Sequence, residues 1–125
     1  ILLSFFIISI AFEAAAAQTA ERLARSVTIH RDRYGVPHIY GETDASAVFG
    51  LMYAQAEDNF WQIEEDHINK LGRAAEIYGA SRLSNDMLVR LFESESRARR
   101  DYRRLSPAMR RLCDAYAAGL NYYLK

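Results

Sequence analysis

Charge in this chain is sharply segregated. Between Glu42 and Asp66 stand seven acids with no Lys or Arg, whereas Leu88 to Arg111 carries eight arginines against three acids. The run Arg97, Arg99, Arg100, Arg103 and Arg104 has the charge of a helix that grips phosphates. It lacks the series of interleaved aromatic rings on which bases stack, and sixteen Lys and Arg balance sixteen Asp and Glu over the whole sequence. A solvated or acid-paired helix face fits better, and nucleic acid is not an expected partner.

Glu64 and His67 have the three-residue spacing by which helical bundles present a carboxylate and an imidazole to iron. That site needs a second such pair, and the sequence has none. His67 also continues the apolar stripe of Phe60 and Ile63, which predicts a buried, hydrogen-bonded histidine. His30 and His38 are too few and too scattered for zinc. A hydroxyl or thiol nucleophile needs a base within reach and donors for an oxyanion. Ser84 and Ser106 read as helix caps, Cys113 falls on an inward stripe, and no Gly-x-Ser-x-Gly or phosphate-cradling glycine loop occurs. The residues themselves therefore nominate no catalytic residue and no metal ligand, and leave substrate-binding residues unassigned.

The elements that would position any site begin after an apolar leader. With 125 residues, 50% of them hydrophobic, and no net charge, the chain has the composition of about one globular domain, not of a disordered or collagen-like segment. One cysteine excludes an intrachain disulfide framework. Ile1 to Phe12 is apolar except for Ser4 and Ser9, and Ala14 to Ala17 follow Glu13. This pattern predicts a signal peptide over residues 1–20, cleaved near 17–20. It is shorter than the roughly 20 residues a bilayer span requires. A periplasmic or secreted protein without a stable membrane anchor is expected, with residues 21–125 forming part of an incomplete domain.

Val27 and Ile29, then Val36, Ile39 and Tyr40, flank the charged loop Asp32-Arg33-Tyr34-Gly35, which predicts a β-hairpin. Pro37 lacks an amide donor, so the second strand should lie on an edge or leave that side unpaired. Three one-sided helices follow. The first is capped by Asp44, buries positions 45, 48, 49, 52, 56, 60 and 63, and ends at Gly72. A second, starting after Ser84, carries Leu88, Leu91, Phe92, Ala98, Tyr102 and Leu105 on one stripe. A third has Ser106 as its cap and Pro107 in its first turn, with Met109, Leu112, Cys113, Tyr116, Leu120 and Leu124 facing inward. Two strands cannot bury a sheet face and three stripes want a partner. The fold class is α+β, an N-terminal β-hairpin followed by three amphipathic helices, and expressed alone the piece should be inactive and prone to aggregate.

Arg31-Asp32-Arg33-Tyr34-Gly35-Val36-Pro37-His38-Ile39-Tyr40 resembles the opening hairpin signature of the penicillin amidase family. The likeness continues through Phe49-Gly50 with Tyr53, Ala56, Asp58 and Gln62, and through Leu71-Gly72-Arg73-Ala74-Ala75-Glu76 with Gly79. It extends to Asp86 with Arg90 and to Tyr116-Ala117-Ala118-Gly119-Leu120-Asn121. Met52, Gln55, Glu57 and Asn59 stand where family members often have Gly, His, Gln and Arg, a version closer to the branch acting on long acyl chains.

The resemblance implies a fragment of an αββα N-terminal nucleophile hydrolase, exported as a precursor that cuts itself into an α chain and a β chain. Its substrate would be a small-molecule amide with a non-peptide C–N bond, such as the acyl side chain of a β-lactam, an acyl-homoserine lactone or a lipopeptide. The nucleophile would be the β chain's new N-terminal Ser, its own α-amine serving as base at a pKa of about 7.7 to 8.0. These groups, and the calcium ligand of some members, would lie beyond Lys125, so no cofactor is expected on this fragment itself. Among the motif residues, Asp32 would accept turn amides or pair with a neighbouring Arg, while Asp58, Glu76 and Arg90 are candidates for buried or partly buried ion pairs joining hairpin and helices, with ordinary surface charges as the competing reading. A non-enzymatic exported helical module that binds a partner through its stripes is the alternative.

Overall fold

A computed structural model describes residues 19–125. It is mostly helical with one two-stranded antiparallel hairpin. Helix α1 covers residues 19–25. It is followed by β1 (Val27–Arg31), β2 (Pro37–Gly41) and α2 (Asp44–Lys70). Then come α3 (Ala74–Tyr78), a single 3-10 turn (Ala80–Arg82), α4 (Leu83–Leu91), α5 (Ser94–Arg104) and α6 (Pro107–Tyr123). The predicted leader falls, up to residue 18, outside the described residues. The chain divides into two compact units, one running to Gln55 and resuming over Arg111–Lys125, the other comprising Ala56–Arg110.

The first unit is built by close apolar packing. Ala20, Phe49 and Ala115 form its buried cluster, with Leu23, Ala24, Val27, Ala45, Val48, Ala118 and Tyr122 packed around it. Phe49 and Met52 are wholly buried, each contributing about 1.5–3 kcal/mol relative to exposure. Two glycines set the approach distances. A Cβ at Gly50 would stand 2.5 Å from Val27 Cγ2, so α2 presses directly onto the inner face of the hairpin. A Cβ at Gly119 would stand 2.4 Å from the Phe49 carbonyl oxygen, so α6 lies against the backbone of α2. The inward stripe predicted for α6 is therefore misphased. Ala115 and Gly119 are its buried positions, while Met109, Tyr116 and Leu124 are exposed, because small residues rather than large ones permit the contact.

Helix α2 starts one residue earlier than expected, with Asp44 inside the first turn and Thr43 as the cap. Ser46 N–H donates to Thr43 Oγ1 at 3.1 Å and Thr43 N–H donates to Ser46 Oγ at 2.9 Å, a reciprocal box that satisfies two otherwise orphaned donors. The helix breaks at Asn59 (φ −157°, ψ 43°), which the uninterrupted apolar periodicity did not foretell. Its end is as predicted. Gly72 takes φ +64°, its N–H donates to Asn69 O and Arg73 N–H donates to Ile68 O, the paired bonds of a Schellman turn.

The second unit departs most from expectation. The single helix predicted after Ser84 is two, α4 and α5, separated at Glu93, which adopts the left-handed conformation (φ 51°). Ser84 caps nothing, since α4 already begins at Leu83 after the 3-10 turn. Short α3 was not anticipated either. Leu88, Leu91 and Phe92 of the expected stripe are exposed. Ser106, by contrast, caps α6 as expected, accepting from Met109 N–H at 3.2 Å with Pro107 opening the helix.

Candidate functional site

The hairpin loop is a small polar machine built on one carboxylate. Gly35 N–H donates to Asp32 O at 3.0 Å, and Gly35 itself has φ +82°, giving a turn closed by a left-handed residue that matches strand twist. Asp32 Oδ1 accepts from Tyr34 N–H at 2.8 Å and Val36 N–H at 3.0 Å. His38 Nε2 lies 3.3 Å from Asp32 Oδ2. The Tyr34 amide, then the Val36 amide and His38, hold the Asp32 carboxyl below its ordinary pKa against the opposing effect of desolvation. Arg31 reaches the Gly35 carbonyl at 2.9 Å, and the Arg33 guanidinium lies 4.6 Å from the Tyr34 ring centre. Of the two roles the sequence left open for Asp32, the structure shows the turn amides, and it adds His38. His30 and His38 are direct cross-strand neighbours.

A second polar knot organises Ala56–Arg110. Asp86, 4% exposed, accepts from Ala74 N–H at 3.0 Å and Ala75 N–H at 2.7 Å, one amide to each oxygen. It caps α3 from twelve residues away, where the helix's partial positive end favours a negative charge. Arg90 Nε donates to Gly72 O at 3.1 Å and its guanidinium lies 3.7 Å from Glu76. Arg73 pairs with Glu76 at 2.7 Å, and this bond, followed by the charges of Arg73 and Arg90, draws the Glu76 carboxyl below its usual value. Glu76 and Arg90 therefore do meet, on the surface. Asp58 is exposed, so the burial expected of it is not met.

The remaining candidates stay ordinary. His67 is hydrogen-bonded, Nδ1 lying 2.7 Å from Ile63 O, but it is exposed and not buried, because it sits one position off the inner stripe. Arg99 pairs with Glu95 at 2.7 Å and Arg100 with Glu93 at 3.9 Å, both neighbours on or beside their own helix, and every residue of α5 is exposed. The arginine run is a solvated face whose acidic partners are local. Cys113 is half-buried. Sequence reasoning missed an open hollow of about 200 Å³ in the first unit, lined by Ala24, Val27, Ile29, Phe49, Tyr53 and Tyr122. The Phe49 and Tyr122 rings meet edge-on at 5.5 Å beside it, and the alternating Val27 and Ile29 were its only sequence signal.

Nothing in these clusters supplies a nucleophile with its base; what they define is a scaffold, and comparison with known proteins identifies which. The sequence profile of the penicillin amidase family matches residues 26–125. The chain belongs to that family and corresponds to its N-terminal part. It is 37% identical over 102 residues to penicillin acylase 2 proenzyme of Pseudomonas sp. strain SE83, covering 82% of this chain and 13% of that protein. To the acyl-homoserine lactone acylase QuiP of Pseudomonas fluorescens it is 36% identical over 107 residues, covering 86% and 13%. A crystallised thermostable penicillin G acylase from Alcaligenes faecalis superposes with a TM-score of 0.72 at 31% identity, over 79% of this chain and 53% of that one. The chain thus spans about one eighth of the length of the curated relatives it matches.

Proposed function

We propose that this chain opens the α chain of an exported amide hydrolase with an αββα N-terminal nucleophile fold, and that its part in catalysis is architectural. The observation that carries this reading is the matched stretch itself, since residues 26–125 match the penicillin amidase family and the relatives aligned over 102 and 107 residues are described as acylases. The relatives point to a small-molecule amide, with β-lactam side chains and acyl-homoserine lactones as the two classes to try first. The reacting hydroxyl would be the leading Ser of a β chain cut from the same precursor, with its α-amine as base and amide donors holding the oxyanion. A leader removed near residues 17–20 would send the precursor to the periplasm or the medium. Calcium, if the whole protein uses it, would be held by residues outside this segment.

The test is made on the full-length precursor. Mass spectrometry should find two chains, the second beginning at Ser, and a panel of phenylacetyl amides and long-chain N-acyl-homoserine lactones should release free amine. Replacing that Ser with Ala should abolish both release and cutting. A single uncut chain that liberates no amine from any member of the panel overturns the reading in favour of a partner-binding module.

A further inference from the structure

Helix α5 is short, basic and bare. Its 11 residues make a rod about 16 Å long, all of them exposed, with five arginines against Glu95 and Asp101. At about 100° per residue, Arg99, Arg103, Arg100, Arg104 and Arg97 fall in that order within an arc of about 160°, shared only with Ser96. The clustering costs stability, since Arg99 and Arg103, like Arg100 and Arg104, are equal charges four residues apart. Glu95 pairs with Arg99 at 2.7 Å and Glu93 with Arg100 at 3.9 Å. The side chains of Arg97, Arg103 and Arg104 make no hydrogen bond or ion pair among the described residues. Three cations on one arc are thus left to solvent.

Just before this helix the chain turns a corner through left-handed Glu93, and the corner carries Leu91, 73% exposed, and Phe92, 61% exposed. A cationic helix with large apolar side chains beside it has the two ingredients of reversible attachment to an anionic lipid surface. Guanidinium forks meet headgroup phosphates, and the apolar pair enters the acyl boundary. Single-stranded nucleic acid fits less well, because Tyr102, the one ring on this helix, lies off the arc with the Arg110 guanidinium 5.5 Å from its centre. No helix among the described residues is long and apolar enough to cross a membrane, so a contact made here is peripheral.

We propose that the arginine arc of α5 and the Leu91–Phe92 corner dock this protein reversibly on an anionic phospholipid surface. The proposal stands apart from the hydrolase reading, because docking is measured without an amide substrate.

The test uses the full-length protein freed of residues 1–18, so that the apolar leader adds no affinity of its own. Co-sedimentation with vesicles of phosphatidylcholine containing phosphatidylglycerol should show binding at least about tenfold tighter than with phosphatidylcholine alone. Raising salt from about 0.1 M to about 0.5 M should release most of it. The triple variant Arg97→Gln, Arg103→Gln, Arg104→Gln should bind about a hundredfold more weakly, roughly fivefold per charge. Arg97→Lys, Arg103→Lys, Arg104→Lys keeps the charge and should lose less than about fivefold. Leu91→Ser with Phe92→Ser should cost about tenfold. All five side chains are exposed, so each variant should unfold in urea as the wild type does. Equal binding to the two kinds of vesicle, a Gln variant that binds like the wild type, or a Ser pair that costs nothing overturns the proposal. So does tighter binding to an oligonucleotide than to anionic vesicles at equal salt, which assigns the arc to nucleic acid.

Discussion

The two units of this chain are held by different physics. Around Phe49 the helices and hairpin touch through missing side chains, with Gly50 and Gly119 letting backbone meet backbone or side chain at distances no Cβ would tolerate. In Ala56–Arg110 the ordering comes from polar groups, with Asp86 fastening α3 and Arg90 fastening the Gly72 turn, while Met87, Leu88, Leu91 and Phe92 remain exposed. Added volume should therefore damage the first unit most, and removed charge the second.

The harshest probe is Gly119→Val in the full-length protein. Its Cβ would meet main-chain atoms, which cannot rotate away, and a loss of at least about 3 kcal/mol is expected from urea unfolding. A variant that melts like the wild type would mean that α6 can shift outward freely. Next comes Asp86→Ala, which strands two amides, one of them on fully buried Ala74, at a cost of about 2 kcal/mol in the same measurement. Asp86→Asn, keeping one good acceptor, should lie between it and the wild type.

Acid is a gentler probe. The Asp32 and Glu76 carboxyls both titrate below their ordinary range when folded, so the unfolded chain takes up protons first as pH falls. Their contribution is complete above the normal carboxylate pKa of about 4 and is lost progressively as pH drops through the depressed folded-state values. Melting temperature followed from pH 6 to pH 2 should fall less steeply in Asp32→Asn than in the wild type; parallel curves would show that the turn amides do not favour the ionised form. Smallest of all should be Arg104→Ala on the solvated face of α5, within about 0.5 kcal/mol by urea unfolding.

Local chemistry made the hairpin, Gly72 and Ser106-Pro107 legible, since each rests on a residue whose backbone preference is its own. The apolar spacing of α2 likewise placed Phe49, Met52 and Ala56 inside, where they are buried. What escaped has equally definite causes. Glu93 sits in the left-handed region although its side chain has no special liking for it, so composition could not mark the α4–α5 break. Ala115 and Gly119 add nothing to an apolar stripe, and counting large side chains gave α6 the wrong phase. Asp86 caps a helix twelve residues upstream, beyond any window in which capping is read. The hollow beside Ile29 needs α1, β1, α2 and α6 together, and only the first three lie close in sequence.

The Asp86 contact addresses main-chain donors and is blind to what side chains they carry. Half-buried Ala75 can therefore mutate to most residues without loosening the clasp, provided the newcomer keeps an amide hydrogen. Proline is the forbidden letter at 74 and 75, and the substitution record a mutational scan would leave is permissive at 75, confined to small residues at buried 74, and strict at the distant acid.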